Sequence, residues 1–257
     1  MEILPDIEIV DLALYFNSAL VIADVHIGYE EALNKKGILV PRLQFPEMAK
    51  RTERIFDALK GKKLDTIIIN GDLKHEFGTI SEQEWRNTIK FLDLLAKHCD
   101  KIALIKGNHD TILGPIAKKR NIKVVESFAA GNVLIAHGDK IPDNVKEYGT
   151  IIIGHEHPAV SLKEGPRVEQ FKCFLKGRYR GRNLIVQPSF NPIIEGTDIL
   201  KDEILSPFLK QNLDNFEVFV VEDGVYSETK PYSASVSAKE PHSNVLYFGK
   251  LRNLRTI

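Results

Sequence analysis

Five short apolar runs, rich in β-branched residues, recur along this chain and alternate with stretches of helical periodicity. The runs are residues 19–23, 66–70, 102–106, 133–136 and 150–154. Between the first two, Phe45, Met48, Ala49, Thr52, Ile55, Phe56 and Leu59 recur at helical spacing. Between the second and third, Ser81 with Glu84 three residues later makes a capping-box signature, and Trp85, Thr88, Ile89, Leu92 and Leu95 share the next face. Strand runs alternating with amphipathic helices predict an α/β fold.

After Pro158 the texture changes. Residues 159–163, 167–175 and 183–187 read as strands separated by Gly and Pro, with no helix between them. Residues 203–212 read as a short helix, 217–221 as a strand, and the Ser- and Pro-rich stretch 227–244 as a loop. No internal repeat or linker divides the chain. The expectation is one domain over residues 1–257, two sheets packed face to face with helices outside. Folding at this length buries roughly 70–75% of the extended surface, so no disulfide support is needed. Cys99 and Cys173 are too few for a disulfide framework or a thiolate zinc site, and read as small buried hydrophobes.

The formal net charge is zero. Such a chain lacks the global attraction of a protein that coats nucleic acid, although a local positive site is compatible with it. No apolar run reaches the roughly 18 residues of a membrane span. The acidic residues 1–6 lack the basic start of a secretory signal. These features predict a cytoplasmic protein with no membrane partner.

Function is carried by the segments at the carboxyl ends of the five early runs. These are Asp24-Val25-His26, Gly71-Asp72, Gly107-Asn108-His109-Asp110, His137-Gly138-Asp139 and His155-Glu156-His157. Ligands of open α/β sheets sit beyond the carboxyl ends of the strands, so five strands deliver metal-competent side chains to one edge. A single Asp-x-His or Gly-Asp is most often a satisfied turn. His-x-His is stronger, because alternate residues on an extended segment point the same way. Five of the chain's eight histidines fall in these segments, which random placement does not explain.

In this order the motifs resemble the calcineurin-like metallophosphoesterases. The fold the resemblance implies is a four-layer α-β-β-α sandwich of two mixed sheets, with the metal-site motifs inside residues 24–157. More narrowly, residues 24–29, 71–77, 155–158 and 187–192 resemble a small archaeal group. That group is related to the nuclease SbcD and to the DNA-ligase-associated phosphoesterase PdeM. By motif position, one divalent ion is implied at Asp24, His26, Asp72 and His157, and a second at Asp72, Asn108, His137 and His155. Asp72 bridges them because a carboxylate offers two oxygens.

Two dications carry four positive charges, of which two carboxylates and a bridging hydroxide cancel three, leaving a site that attracts phosphate. Ions about 3.5–4 Å apart activate water and stabilise in-line displacement. The hydroxide is the implied nucleophile, His109 stabilises or protonates the leaving oxygen, and Asp110 orients the His109 ring. Oxygen and imidazole donors without thiolate favour Mn²⁺ or Fe and tolerate Zn²⁺ or Co²⁺.

Weaker signals stay open. His75 and Glu76 lie close enough to Gly71-Asp72 to reach the rim of the site, or serve as capping or solvent-facing residues. Lys172, Lys176, Arg178, Arg180 and Arg182 interleave with Phe171, Phe174 and Tyr179. That pattern grips single-stranded nucleic acid, or protects an edge strand from aggregation. Arg178 and Tyr179 are the candidate substrate contacts within it. Asp139, two residues after His137, should repel phosphate unless it points away or orients His137. His98 sits favourably at a helix C-terminus, and neither it nor His242 is assigned chemistry. The expected activity is hydrolysis of phosphodiesters, by a nuclease or a small-diester hydrolase. A phosphomonoesterase fits the same ligand set, and a non-catalytic scaffold, as in one retromer subunit resembling the family, has no need of it.

Overall fold

A computed structural model describes residues 1–76, 81–110, 117, 120, 122–222 and 244–254 of the chain. Phe77 of the Gly71-Asp72 motif, His242 and all but the last residue of the 227–244 stretch lie outside the described residues.

The first sheet has seven strands in sequence order: β1 (Glu2–Leu4), β2 (Ile7–Val10), β3 (Ala13–Phe16), β4 (Ala19–Ala23), β5 (Thr66–Asn70), β6 (Ile102–Ile105) and β7 (Lys123–Val125). Strands β1 to β4 form an antiparallel meander, whereas β4 to β7 run parallel. The β3–β4 hairpin turns on Asn17 and Ser18, with φ of 47° and 57°. Two consecutive positive φ values match the right-handed twist of the flanking strands. The meander's alternation Ile7, Glu8, Ile9 is the half-buried pattern of an outer strand.

The second sheet contains β8 (Ser127–Ala130), β9 (Val133–Ala136), β10 (Thr150–Ile153), β11 (Pro158–Glu164), β12 (Arg167–Tyr179), β13 (Arg182–Val186), β14 (Thr197–Asp198), β15 (Glu217–Val221) and β16 (Val245–Lys250). Its order is β14-β11-β12-β13-β10-β9-β8, with β15 joining β12 to β16. Strands β9, β10 and β13 are parallel. Period-two geometry splits the runs of this sheet between two cores. Ile135, Ile152, Ile185 and Phe174 face the first sheet. Leu134, Ile151, Ile153, Leu184, Val186 and Leu175 face the outer layer. Both faces are therefore covered, and the strands read as unbroken apolar runs.

Helices α1 (Tyr29–Lys35), α2 (Gln44–Ala58) and α3 (Glu82–Ala96) join the parallel strands of the first sheet. Met48, Thr52, Ile55 and Phe56 make the buried stripe of α2. In α3 the stripe is Glu84, Thr88, Phe91, Leu92 and Leu95. Trp85 and Ile89 flank this stripe, half-buried, so the buried face is rotated from the sequence-predicted one. Ser81 caps α3 by accepting the Glu84 N–H at 3.1 Å. The Glu84 carboxylate does not complete the capping box. Its Oε1 accepts the N–H groups of His75 (2.9 Å) and Glu76 (3.1 Å) instead.

The helix expected at 203–212 does not form; the segment is a series of turns. Pro207 lacks an N–H, and the N–H groups of Leu205 and Ser206 are taken by the Glu156 carboxylate at 3.1 and 2.7 Å. The outer layer of the second sheet is these turns, a 3₁₀ turn at Asp143–Glu147 and the short helix α4 (Leu251–Leu254). No helix among the described residues is long and apolar enough to cross a membrane.

Candidate metal centre

The carboxyl ends of β4, β5 and β6 meet those of β9 and β10 across the seam between the sheets. Asp24 and Asp72, at the first two ends, are buried carboxylates at 0% and 2% exposure. A buried carboxylate needs cations or donors around it. Asp24 Oδ1 lies 3.4 Å from His157 Nε2 and 3.5 Å from His137 Nδ1. Its Oδ2 accepts the His155 N–H at 2.9 Å. Asp72 Oδ2 lies 3.6 Å from His26 Nε2 and 3.4 Å from His137 Nε2, while Oδ1 accepts the His109 N–H at 2.9 Å. One oxygen of Asp72, not two, thus faces both histidine groups.

Beside a trio of rings formed by His26, His75 and His109, the carboxylates and histidines fall into two sets with no shared residue. Asp24, His26 and His157 form one, with His26 Nε2 3.2 Å from His157 Nε2. Asp72, His137 and His155 form the other, with His155 Nδ1 3.2 Å from His137 Nε2 and Asn108 Oδ1 3.0 Å from the same nitrogen. His155 and His157 thus face different sets rather than one side. Their backbones are not extended; φ is 66° and 51°. Asp24, His26 and Asp72 also adopt positive φ, at 53°, 45° and 47°. Five non-glycine residues in the left-handed region at one site are stored strain.

Divalent cations fit this arrangement. Two pairs of ring nitrogens aim at one another, and Asp24 Oδ1 and His137 Nδ1 are buried without a hydrogen-bond partner. Glycine is required where main chain passes the carboxylates. A Cβ on Gly107 would stand 2.1 Å from Asp72 Oδ1, and one on Gly154 would stand 2.4 Å from Asp24 Oδ2.

Without cations the charges are strongly redistributed. Burial pulls the His137 imidazole down, but its bond to Asp72 and the charges of Asp24 and Asp72 prevail and push it up to about 9. Burial alone would raise the Asp72 carboxyl, but His137 and His26 hold it well below the usual range. Burial, then His157, lowers His26, whereas burial, then His137, lowers His155. Asp139 is partly exposed, and its charge raises both His137 and His155, which places it in the surrounding field.

His109 sits beside the first set, its ring edge-on to His26 at 4.9 Å. Asp110 does not orient that ring, contrary to expectation. Its carboxylate turns into the loop and accepts the N–H groups of Gly107 (3.0 Å), Leu73 (3.4 Å) and Lys74 (3.5 Å). Burial, then the Asp72 charge, pushes it up to about 6. The ring of His109 is held by a carbonyl instead, with Nδ1 2.5 Å from His75 O. His75 does reach the rim. Its ring stacks on His109 (5.2 Å, 26°), meets Tyr29 edge-on (4.9 Å, 82°) and places Nδ1 3.4 Å from His26 Nδ1. Burial, then His109, lowers His75 to about 4.

Arg178 and Tyr179 lie elsewhere. Tyr179 pairs with Arg182 at the turn where β13 begins, and β13 runs parallel to β10 with Asn183 beside Thr150. The site lies past the other end of β10, about 13 Å further along four residues of strand. Arg178 bonds Gly181 O, and Tyr179 packs on Phe208. Neither reaches the centre. Lys172 is nearer; its Nζ donates to Ser189 O at 2.8 Å and to Asn191 O. His98 stacks on Phe56, away from the site.

Residues 187–191 form a strut that the sequence did not explain. Gln187, Ser189 and Asn191 are fully buried. Gln187 Nε2 donates to Val21 O, Ser189 Oγ to Asp24 O at 2.7 Å, and Asn191 Nδ2 to Val25 O and His26 O at 3.2 and 3.1 Å. From the other side, Gln44 Nε2 donates to His26 O at 2.7 Å. The Asp24–His26 loop is thus clamped in its strained form. Three polar side chains at alternate positions, Gln187, Ser189 and Asn191, beside Pro188 and Pro192 were the available signal.

The profile of the calcineurin-like phosphoesterases matches residues 18–214. The chain belongs to that family. Membership supports a metal-dependent hydrolase acting on phosphate esters. Among solved structures, nuclease MPE of Pseudomonas putida is 22% identical and superposes with a TM-score of 0.58, covering 82% of this chain and 90% of the nuclease. At that identity the likeness is one of fold. The phosphoesterase YfcE from E. coli is 12% identical (TM-score 0.35, covering 82% and 94%). A Vps29 mutant from Entamoeba histolytica is 15% identical (TM-score 0.33, covering 80% and 86%). No curated protein matches the chain.

Proposed function

We propose that the chain is a phosphodiesterase working with two divalent ions, manganese by preference. The observation that carries this is the gathering of seven donor residues from five strand ends, with Asp72 Oδ2 facing both His26 and His137 and two pairs of ring nitrogens 3.2 Å apart. One ion belongs with Asp24, His26, Asp72 and His157, the other with Asp72, Asn108, His137 and His155. When bound, such ions orient the phosphate and lower the pKa of water. An oxygen and imidazole set without thiolate suits manganese.

The chain's own part is positioning and proton transfer. His109 Nδ1 keeps its proton against the His75 carbonyl, so exchange with a leaving oxygen takes place at Nε2. Asp110 serves by shaping the loop that carries Asn108 and His109. The ion pair alone holds a monoester more tightly, since it carries nearly two charges. Preference for a diester therefore needs contacts to the second ester group. Tyr29, against His75, and Lys36, seven residues on and about 10 Å along the same face of α1, replace Arg178 and Tyr179 as candidates. The charge of Lys36 is felt at His75.

The motif likeness to the archaeal group related to SbcD and PdeM, and a nuclease of similar fold, support the diester reading and make nucleic acid one form of it. The test is release of nitrophenol from bis-p-nitrophenyl phosphate and from p-nitrophenyl phosphate, with and without manganese. A higher kcat/KM for the diester is expected. Preference for the monoester would make the chain a phosphomonoesterase, and turnover of neither would remove the catalytic reading.

A further inference from the structure

Lys74, two residues after Asp72, is completely buried. Lysine is almost never found so unless paired. Among the described residues no carboxylate lies within 4 Å of its Nζ, and the ammonium donates to two main-chain carbonyls, His109 O at 2.6 Å and Glu76 O. Its own N–H points at Asp110 Oδ1 (3.5 Å), whose partner oxygen holds Gly107 N–H (3.0 Å). One residue thereby ties the loop after β5, which carries His75, to the loop after β6, which carries Asn108 and His109. Inside that tie the His109 ring leans on the His75 carbonyl and stacks on the His75 ring.

Methionine could fill the same volume without taking a charge out of water, and burying an ammonium is costly. Packing therefore does not account for a lysine here. A cation held by two carbonyls does fix the separation and tilt of the two main chains, because charge-assisted bonds are short and directional.

We infer that Lys74 is a positioning residue that aims the His109 ring at the leaving oxygen by clamping the His109 carbonyl to the His75–Glu76 main chain. This rests on the reading of His109 as the group that protonates that oxygen. In that step a water-derived hydroxide oxygen bonds to phosphorus as the P–O bond to the leaving group breaks, and the pair of the broken bond stays on the leaving oxygen. The proton comes from His109 Nε2, which regains one from water before the next turnover. A weakly basic leaving group such as p-nitrophenolate needs little of that proton, whereas phenolate needs much.

The test is kcat for a series of aryl phosphate esters from p-nitrophenyl to phenyl, in the parent, Lys74→Met and His109→Gln, with metal content measured alongside. Lys74→Met should lose no more than about threefold on the p-nitrophenyl ester and about 10²-fold on the phenyl ester, with both metal ions retained and KM little changed. Equal loss across the series, or parallel loss of metal, would overturn the inference in favour of general loop support. If His109→Gln shows the split and Lys74→Met does not, the Lys74 inference alone fails. If His109→Gln shows none, the reading of His109 fails. Should Lys74→Met not fold, Lys74→Gln keeps a neutral, shorter amide donor and must show a smaller split of the same sign.

Discussion

Truncating Asn191 tests whether the strut at 187–191 holds the Asp24–His26 loop. The side chain is fully buried, and its amide makes three bonds. Nδ2 donates to Val25 O (3.2 Å) and His26 O (3.1 Å), and Oδ1 accepts Ile193 N–H (2.9 Å). His26 O keeps a second donor in Gln44. In Asn191→Ala, two groups therefore lose their partner among the described residues, Val25 O and Ile193 N–H. The Val25 carbonyl is a buried orphan costing about 1–3 kcal/mol, whereas the Ile193 N–H belongs to a half-buried residue and adds little, against a usual total of about 5–15 kcal/mol. For a chain of this size that lowers Tm by about 3–12 °C.

The loop also relaxes, because Asp24 and His26 sit at positive φ, a conformation costing about 1–2 kcal/mol per residue. Metal affinity should consequently fall at Asp24, His26 and His157 before it falls at Asp72, His137 and His155. Melting in chelator isolates the strut from the metal, and a manganese titration of the same variant reads the loop. A chelated Asn191→Ala chain melting within about 2 °C of the parent would refute the strut.

The geometry sets three further outcomes. Asp72→Ala should lose both ions and all hydrolysis, since Oδ2 faces both histidine sets; elemental analysis showing two ions per chain would exclude Asp72 as the bridge. Gly107→Ala puts a methyl 2.1 Å from Asp72 Oδ1 and 2.4 Å from the Asp72 amide nitrogen, so overpacking of about 1–3 kcal/mol and weaker metal binding are expected, read by denaturation and metal titration. Arg178→Ala, at the far end of the sheet, should leave kcat/KM on the aryl diester within about twofold, as expected of a surface change remote from the site; a tenfold fall would return Arg178 to the substrate path.

The α/β class and the edge that carries the chemistry were legible in sequence because both arise from local rules. Apolar runs of strand length separated by amphipathic helices force parallel strands, and parallel strands deliver the residues after them to one edge. The meander before Ala19 was not read from the sequence, although Ile7-Glu8-Ile9 and the Asn17-Ser18 turn carry a local signal for it. The pairing within the site was not local. His155 and His157 part because both residues adopt left-handed φ, a strain that only the surrounding fold maintains. Arg178 and Tyr179 looked suitable by composition, yet the parallel register of β13 with β10 carries them to the opposite end. Asp110 stands next to His109 in the chain, but its carboxylate finds three main-chain N–H groups that only the closed loop presents. Asn191 meets Val25 across a sequence separation of 166, and Lys74 meets His109 across 35. No local pattern encodes such contacts; they exist once two sheets have closed over a seam that excludes water and makes an unpaired buried polar group costly.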